Sequence, residues 1–351
     1  MTGPEVHRTV GSVARWESGW RALAADTRGS SYFATPDWVL ASWEAMRAGE
    51  VAEIAAWTAA DGAVEAVVPI RRSAGRLHPR IPVPVRSWTL LGSEPDAADH
   101  GLLLTSDHRR EDVRGWLRER TRGRSLWLPA MDTEADPALL PAGTRRLAVS
   151  TCPRLALTPG AAVGSASFRT LMRRRERQLA RNGVTFRWIA PPTMSADVLD
   201  TVMALHRQRQ EHKGNSTAFG AHRRDFHLRL QARAADDRGP AAMLAERDGV
   251  PVGALYGFLW QNVFAYYNGG WDQTYAKMSL GTVLLDLTIA TVCELGITTF
   301  DFLRGGESYK YLSFGAQDRF DGQWLRPRSA SALLAGTVLR QARGRTSLRG
   351  R

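Results

Sequence analysis

The sequence predicts an α/β chain, an α+β mixed sheet, built from two similar halves. Helix-period and strand-type segments alternate along its length. A strand, an Asp-Gly turn and a second strand occur once in each half, at "EIAAWTAADGAVEAVVPIRR" and "AAMLAERDGVPVGALYGFLW". In both halves a late apolar strand then stops at glycine, in "TLLGS" and "DFLRGG". Together these point to a weak internal duplication.

The first half opens with helices. "TPDWVLASWEAM" places Thr35 as cap and Pro36 at the first helical position, with Trp38, Leu40, Trp43 and Met46 on the inward side. The hairpin turning at Asp61–Gly62 follows, then the strand in "RSWTLLGS", an Asp-rich loop, the amphipathic helix "HRREDVRGWLRERTRG" and the strand "SLWLPAM". The second half begins with the helix "SASFRTLMRRRERQLARNG", capped by serine, stopped by Asn182–Gly183 and apolar at Phe168, Leu171, Met172 and Leu179. "VTFRWIA" is a strand, "SADVLDTVMALHRQRQEHKG" and "HRRDFHLRLQARAADD" are helices, and the hairpin turns at Asp248–Gly249. "NVFAYYNGGWD" is the next strand, "SLGTVLLDLTIATVCELG" a nearly all-apolar helix closed by Gly296, and "ITTFDFL" a strand. The expected domains are 1–158, 159–330 and a basic tail at 331–351, whose end "RGRTSLRGR" is expected to fray.

Bulk composition narrows the class. A hydrophobic share of 44% with 12 Trp among 351 residues fills real cores and argues against disorder. Cys152 and Cys293 stand at unrelated positions, which makes a disulfide framework or a cysteine-based zinc site unexpected. The N-terminal residues lack a basic-then-apolar signal pattern, and no apolar run approaches the ~20 residues of a membrane span. The expectation is a cytoplasmic protein with no metal. The net charge of +12 attracts anions, or reflects arginine-rich usage without a partner.

The richest stretch runs from Asn262 to Lys310. The buried helix after "NVFAYYNGGWD" begins near Ser279, and a helix start offers unpaired N–H groups and a positive dipole end. Gly281 removes a Cβ from that start, and Lys277 adds a charge, so Lys277, Met278, Ser279, Leu280, Gly281 and Thr282 form a candidate pyrophosphate notch. No Walker loop and no dinucleotide fingerprint is present.

The order strand, helix-start glycine, buried helix, strand is similar to the acyl-coenzyme A core of the GNAT acyltransferases. Ser279, Gly281, Asp301, Phe302, Leu303, Gly305, Tyr309 and Lys310 match the pattern of the CelD-like branch, found in cellulose and other polysaccharide biosynthesis. "FATPDWVLASWEAM", "SFRTLMRRRERQLARNG" and "LHRQRQEHKGNSTAF" agree in order, so the likeness spans most of 30–315. The two halves also resemble the tandem GNAT-like domains of Fem-type peptidyltransferases, which use aminoacyl-tRNA. Two departures stand out: the usual glycine-rich loop is degenerate, and Leu280 replaces the branch's proline. The resemblance implies acetyl-CoA or another acyl-CoA as donor, and an amine or hydroxyl of a sugar, polysaccharide precursor or secondary metabolite as acceptor.

Acyl transfer needs a deprotonated nucleophile, a stabilised oxyanion and a protonated leaving group. With no Ser/His/Asp or Cys/His arrangement in the chain, direct attack in a ternary complex is expected. Asp301, between Phe300 and Phe302, is either a base of raised pKa or a carboxylate that pairs with an arginine or caps the Gly305–Gly306 turn. Tyr309 protonates the thiolate or packs; Lys310 steadies a phosphate or oxyanion or is a surface lysine; Glu307 is solvated. His206 and Arg209 share a helical face and line an acceptor pocket or serve structure, with Tyr266, Tyr267 and Trp271 as its wall or as core. The run "RRRERQLAR" is a solvated face or a contact for tRNA, a carrier protein or a polyanionic glycan. The remaining alternatives are an aminoacyl-tRNA-dependent transferase and an inactive GNAT-like binding module in a biosynthetic complex.

Overall fold

The computed structural model describes residues 3–77, 83–93, 99–133, 137–212 and 221–347. The Asp-rich loop at 94–98, residues 213–220 of the matched "LHRQRQEHKGNSTAF" and the last four residues lie outside these. In chain order the elements are β1 (Glu5–His7), α1 (Glu17–Asp26), α2 (Pro36–Glu44), β2 (Ala52–Thr58), β3 (Val64–Arg76), β4 (Pro84–Leu90), β5 (Leu104–Thr105) and α3 (Arg110–Arg120). Next come β6 (Ser125–Asp132), β7 (Arg145–Ala156), α4 (Ala166–Arg181), β8 (Val184–Ile189), α5 (Ala196–His212), α6 (Ala221–Ala232), β9 (Arg238–Arg247) and β10 (Val250–Trp260). The last are β11 (Val263–Trp271), α7 (Leu280–Glu294), β12 (Thr299–Asp301), α8 (Ser308–Leu312), β13 (Gln317–Arg326) and α9 (Ala330–Ser347). The chain divides into two compact units: Met1–Thr151 with Phe320–Arg351, and Cys152–Arg319.

In the first unit β1, β2, β3 and β4 form an antiparallel run; β6 lies parallel to β4 after the crossover through α3, and β13 is antiparallel to β6. Alternate strand residues such as Val68, Ile70, Trp88 and Leu126 bury against Val113 and Leu117 of α3. The Thr35 hydroxyl caps α2 by accepting from the Trp38 N–H. Trp38 Nε1 donates to Gly92 O at 3.0 Å, and a Cβ on Gly92, whose φ is +89°, would sit 2.7 Å from that indole. The glycine closing "TLLGS" therefore serves both the turn and the tryptophan. Residues 331–340, expected to begin a tail, are helical: α9 buries Ala332, Ala335 and Leu339 against Leu77, Val85, Trp127 and Leu325.

The second unit repeats the plan. β8, β9, β10 and β11 are antiparallel, α7 crosses over to β12 parallel to β11, and residues 154–156 of β7 pair antiparallel to β12. The shared topology is the structural form of the duplication legible in the two hairpins. Asp248 and Gly249, at φ +52° and +76°, make a two-residue turn whose twist suits the strands. The first hairpin instead needs the longer loop 59–63, in which Asp61 Oδ1 accepts from Ala63 N at 3.0 Å. Met172 and Leu179 of α4 are buried and its arginines 173, 174 and 177 are exposed, as an amphipathic helix requires, but Leu171, expected inward, is exposed.

Helix α7 buries Val283, Leu284, Leu285, Ile289 and Val292. Asp286 is its exception: burial, reinforced by Glu176 of α4, pushes its carboxyl up to about 6. A folded-state pKa above the unfolded one means the native chain holds the extra proton, so this group costs stability as pH rises from about 4 past 6. Asp286→Asn should therefore raise the unfolding free energy by about 1–2 kcal/mol at pH 8, allowing for solvent screening, and by almost nothing at pH 4. Urea titrations at both pH values check this; an equal effect at both would remove the linkage.

Candidate active site at the splayed strand pair

The site begins with a parallel pair that separates. β12 pairs with β11 at Val263↔Thr299, Phe264↔Phe300 and Ala265↔Asp301, and ends there while β11 continues to Trp271. The carboxyl ends of parallel strands beside a crossover helix are where α/β sheets open a crevice. β11 also carries a bulge: Gly257 faces Tyr266, the next pair is Tyr256↔Asn268, and Tyr267 is the extra residue. In a regular strand residues five apart face opposite sides. The bulge resets the alternation, so Tyr266 and Trp271 both pack on the core that contains α7. Tyr267 instead joins His227, Tyr256 and Phe258 in an aromatic cluster.

Helix α5 lies directly on β11. A Cβ on Gly270 would stand 2.3 Å from the Leu205 carbonyl and 2.4 Å from the His206 N, so only glycine allows this approach. It brings Arg209 Nη1 to 3.3 Å and His206 Nδ1 to 3.4 Å from Gly269 O. The Arg209 guanidinium sits 3.4 Å from the Trp271 ring centroid. The same indole covers Gly281, where a Cβ would meet three ring carbons at 2.5–2.6 Å. The bare Cα expected to admit a ligand is occupied by the chain's own tryptophan.

At the start of α7, Ser279 is left-handed at φ +58°, and its carbonyl accepts from both Thr282 N and Val283 N at 3.0 Å. The amides of Leu280 and Gly281 have no acceptor among the described residues. Lys277 is exposed, Met278 packs on the core, and the Leu280 side chain is buried.

Tyr309, on α8, is partly exposed and comes within electrostatic reach of Tyr266, Glu307 and Arg209. Burial, then Tyr266 and Glu307, hold its phenol well above its ordinary pKa, with Arg209 opposing. Burial does the same for Tyr266, opposed by the charge of Arg209 and its hydrogen bond to the phenol. Both hydroxyls keep their protons at neutral pH.

Asp301 and Lys310 face inward. Asp301 Oδ1 accepts from Leu303 N at 2.8 Å, and Oδ2 lies 3.8 Å from Arg154 Nε and 3.7 Å from Arg319 Nη1. Arg154 is its cross-strand neighbour on β7. Lys310, 3% exposed, donates to Gly305 O at 2.7 Å and Phe302 O at 3.4 Å and pairs with Glu307 at 2.8 Å. Leu303 is left-handed at φ +53°, and a Cβ on Gly305 would strike the Glu307 carboxylate at 2.7 Å. The acid and the amine of "GGESYK" thus lock a strained turn that presents the phenol.

Of the sequence-derived candidates, Arg209, Trp271, Gly281 and Tyr309 gather at the splay and His206 borders it; Tyr267 goes to the aromatic cluster, and Asp301 and Lys310 sit beneath. Tyr266, considered as the acceptor pocket's wall or as core, joins the polar cluster, and Glu307 is exposed to solvent as expected while it also pairs with Lys310. That Tyr266 and not Tyr267 faces this cluster was not legible, because a bulge leaves no mark in the alternation of "VFAYYNGGW".

Residues 166–311 match the family model described as an acetyltransferase (GNAT) domain. No curated protein sequence matches the chain. Among solved structures, FemX superposes with a TM-score of 0.63 at 11% identity, over 95% of this chain and 100% of that one. L-PGS from Bacillus licheniformis gives 0.56 at 13% identity, over 92% and 95%. A tandem GNAT protein from the clavulanic acid biosynthesis pathway gives 0.51 at 15% identity, over 93% and 99%. Among the described residues no helix is long and apolar enough to cross a membrane. The fold is a mixed α/β tandem GNAT fold, and residues 166–311, which hold the splayed strands, are the part of it that the acetyltransferase family model describes.

Proposed function

We propose that the unit Cys152–Arg319 carries a CelD-like N-acyltransferase that moves an acyl group from an acyl-CoA, acetyl-CoA being the simplest, to an amine or hydroxyl of a sugar, polysaccharide precursor or secondary metabolite in the reducing cytoplasm. The observation that carries this reading is the opening of β11 away from β12 beside the α7 N-terminus, with Tyr266, Tyr309 and Arg209 around it. The amides of Leu280 and Gly281, with Lys277 nearby, receive the donor's pyrophosphate. The acceptor nitrogen bonds to the acyl carbon as the C–S bond breaks. Tyr309, a phenol that stays protonated, gives its proton to the leaving thiolate, and the proton shed by the amine returns through solvent. Arg209 and Tyr266 bind the polar face of the acceptor. Asp301 and Lys310 act as positioning residues that hold the turn bearing Tyr309. Isothermal titration with acetyl-CoA and longer acyl-CoAs should give saturable binding; no heat at millimolar ligand would remove the donor assignment.

A second reading has its own observation. Trp271 fills the space at Gly281, and the chain carries +12 charges, which favours a donor held less by a backbone notch and more by basic surface. The Fem-type resemblance implies aminoacyl-tRNA. Charged tRNA would then bind with an affinity falling steeply with salt, and a flat salt response would reject it.

A further inference from the structure

The first unit carries a pocket that acyl transfer in the second unit does not use. It is about 440 Å³ in volume, and Arg86 of β4, Arg124 before β6 and Arg328 before α9 line it with Ser125, Ser329 and Ser331. Elsewhere in this unit arginines meet carboxylates: Arg21 with Asp37, Arg109 with Glu65, Arg120 with Glu53. Among the described residues no carboxylate pairs with Arg86, Arg124 or Arg328. The hydrogen bond of Arg124 is from Nη1 to Ser73 O at 3.5 Å. Burial, together with the charges of Arg72 and Arg86, holds its guanidinium below its ordinary pKa. Like charges gathered around a half-enclosed space raise the free energy of the empty site, and an anion lowers it.

Hydrogen bonds tie the walls together. Ser125 Oγ accepts from Arg328 N at 2.9 Å and fastens that residue to β6. Ser329 Oγ accepts from Ala332 N at 3.2 Å and lies 2.9 Å from Ser331 Oγ, so the helix α9 starts among the residues that line the pocket. Planar guanidinium forks, hydroxyls and a helix start together suit a tetrahedral oxyanion carrying more than one charge.

We propose that this arginine-lined pocket binds the phosphate group of a phosphoester ligand. Isothermal titration of the full chain with inorganic pyrophosphate at low salt should show binding that the Arg86→Gln/Arg328→Gln double variant weakens at least tenfold. Pyrophosphate can also meet α7, so hydrogen exchange supplies a local readout: the first turn of α9 should exchange more slowly with pyrophosphate in the parent chain and not in the variant. The variant's own melting temperature should stay equal or rise, because like-charge repulsion is relieved. An unchanged isotherm, or an α9 start indifferent to pyrophosphate, overturns the proposal. Parallel titrations with adenosine monophosphate and with bulk tRNA separate the source. A tRNA affinity that drops in the variant assigns RNA backbone phosphates, a nucleotide affinity that drops assigns a free metabolite, and pyrophosphate binding alone assigns a small diphosphate.

Discussion

Gly270→Ala is expected to destabilise the second unit by about 3 kcal/mol or more. The added methyl would lie 2.3 Å from the Leu205 carbonyl carbon and oxygen and 2.4 Å from the His206 N, all backbone atoms that no rotamer change can move. Relief requires α5 to retreat from β11. That retreat would pull Arg209 off the Trp271 ring and away from Gly269 O, so surviving protein should also bind its acceptor poorly. Gly115→Ala is the control: it sits in helix α3 with nothing within 4 Å of its Cβ position, and alanine there should be neutral or stabilise by up to about 1 kcal/mol. Urea denaturation of the two variants reads both effects. A Gly270→Ala loss below about 1 kcal/mol would mean that α5 and β11 do not meet backbone to backbone.

Tyr309→Phe should lower the turnover number by about 10²–10³-fold with KM shifted little, if its hydroxyl donates a proton as the donor leaves. The fold should hold, because the ring is kept and the residue is partly exposed. Burial, Tyr266 and Glu307 raise its pKa, so no alkaline limb from this phenol should appear below its ordinary titration range. Steady-state rates of parent and variant with one acyl donor and a panel of amines provide the measurement. Equal rates within about twofold would assign the phenol to packing and leave proton delivery to solvent or another group.

Much of the fold was legible because it is written in local patterns. The Thr35 cap, the Asp-Gly turns, the apolar run of α7 and the polar stripe of α4 each depend on residues a few positions apart. The one local misplacement with consequences was at 331–340, where Leu333, Leu334 and Val338 stay exposed and the segment packs as a helix through Ala332, Ala335 and Leu339 against Leu77, Val85 and Trp127.

The candidate site was legible only in its ingredients. By itself the chain determined that a glycine-started buried helix follows one strand and precedes another, and that an acid, a phenol and an amine close the unit; spacing along the backbone settles such things. Tertiary structure alone decided how they are used. Gly281 accommodates Trp271, Lys310 is buried under carbonyls, Asp301 sits between Arg154 and Arg319, and a bulge at Tyr267 turns Tyr266 toward Arg209. Each of these depends on atoms brought close by strand register and helix packing rather than by neighbouring sequence, and contact between distant residues is the quantity that a linear pattern does not encode.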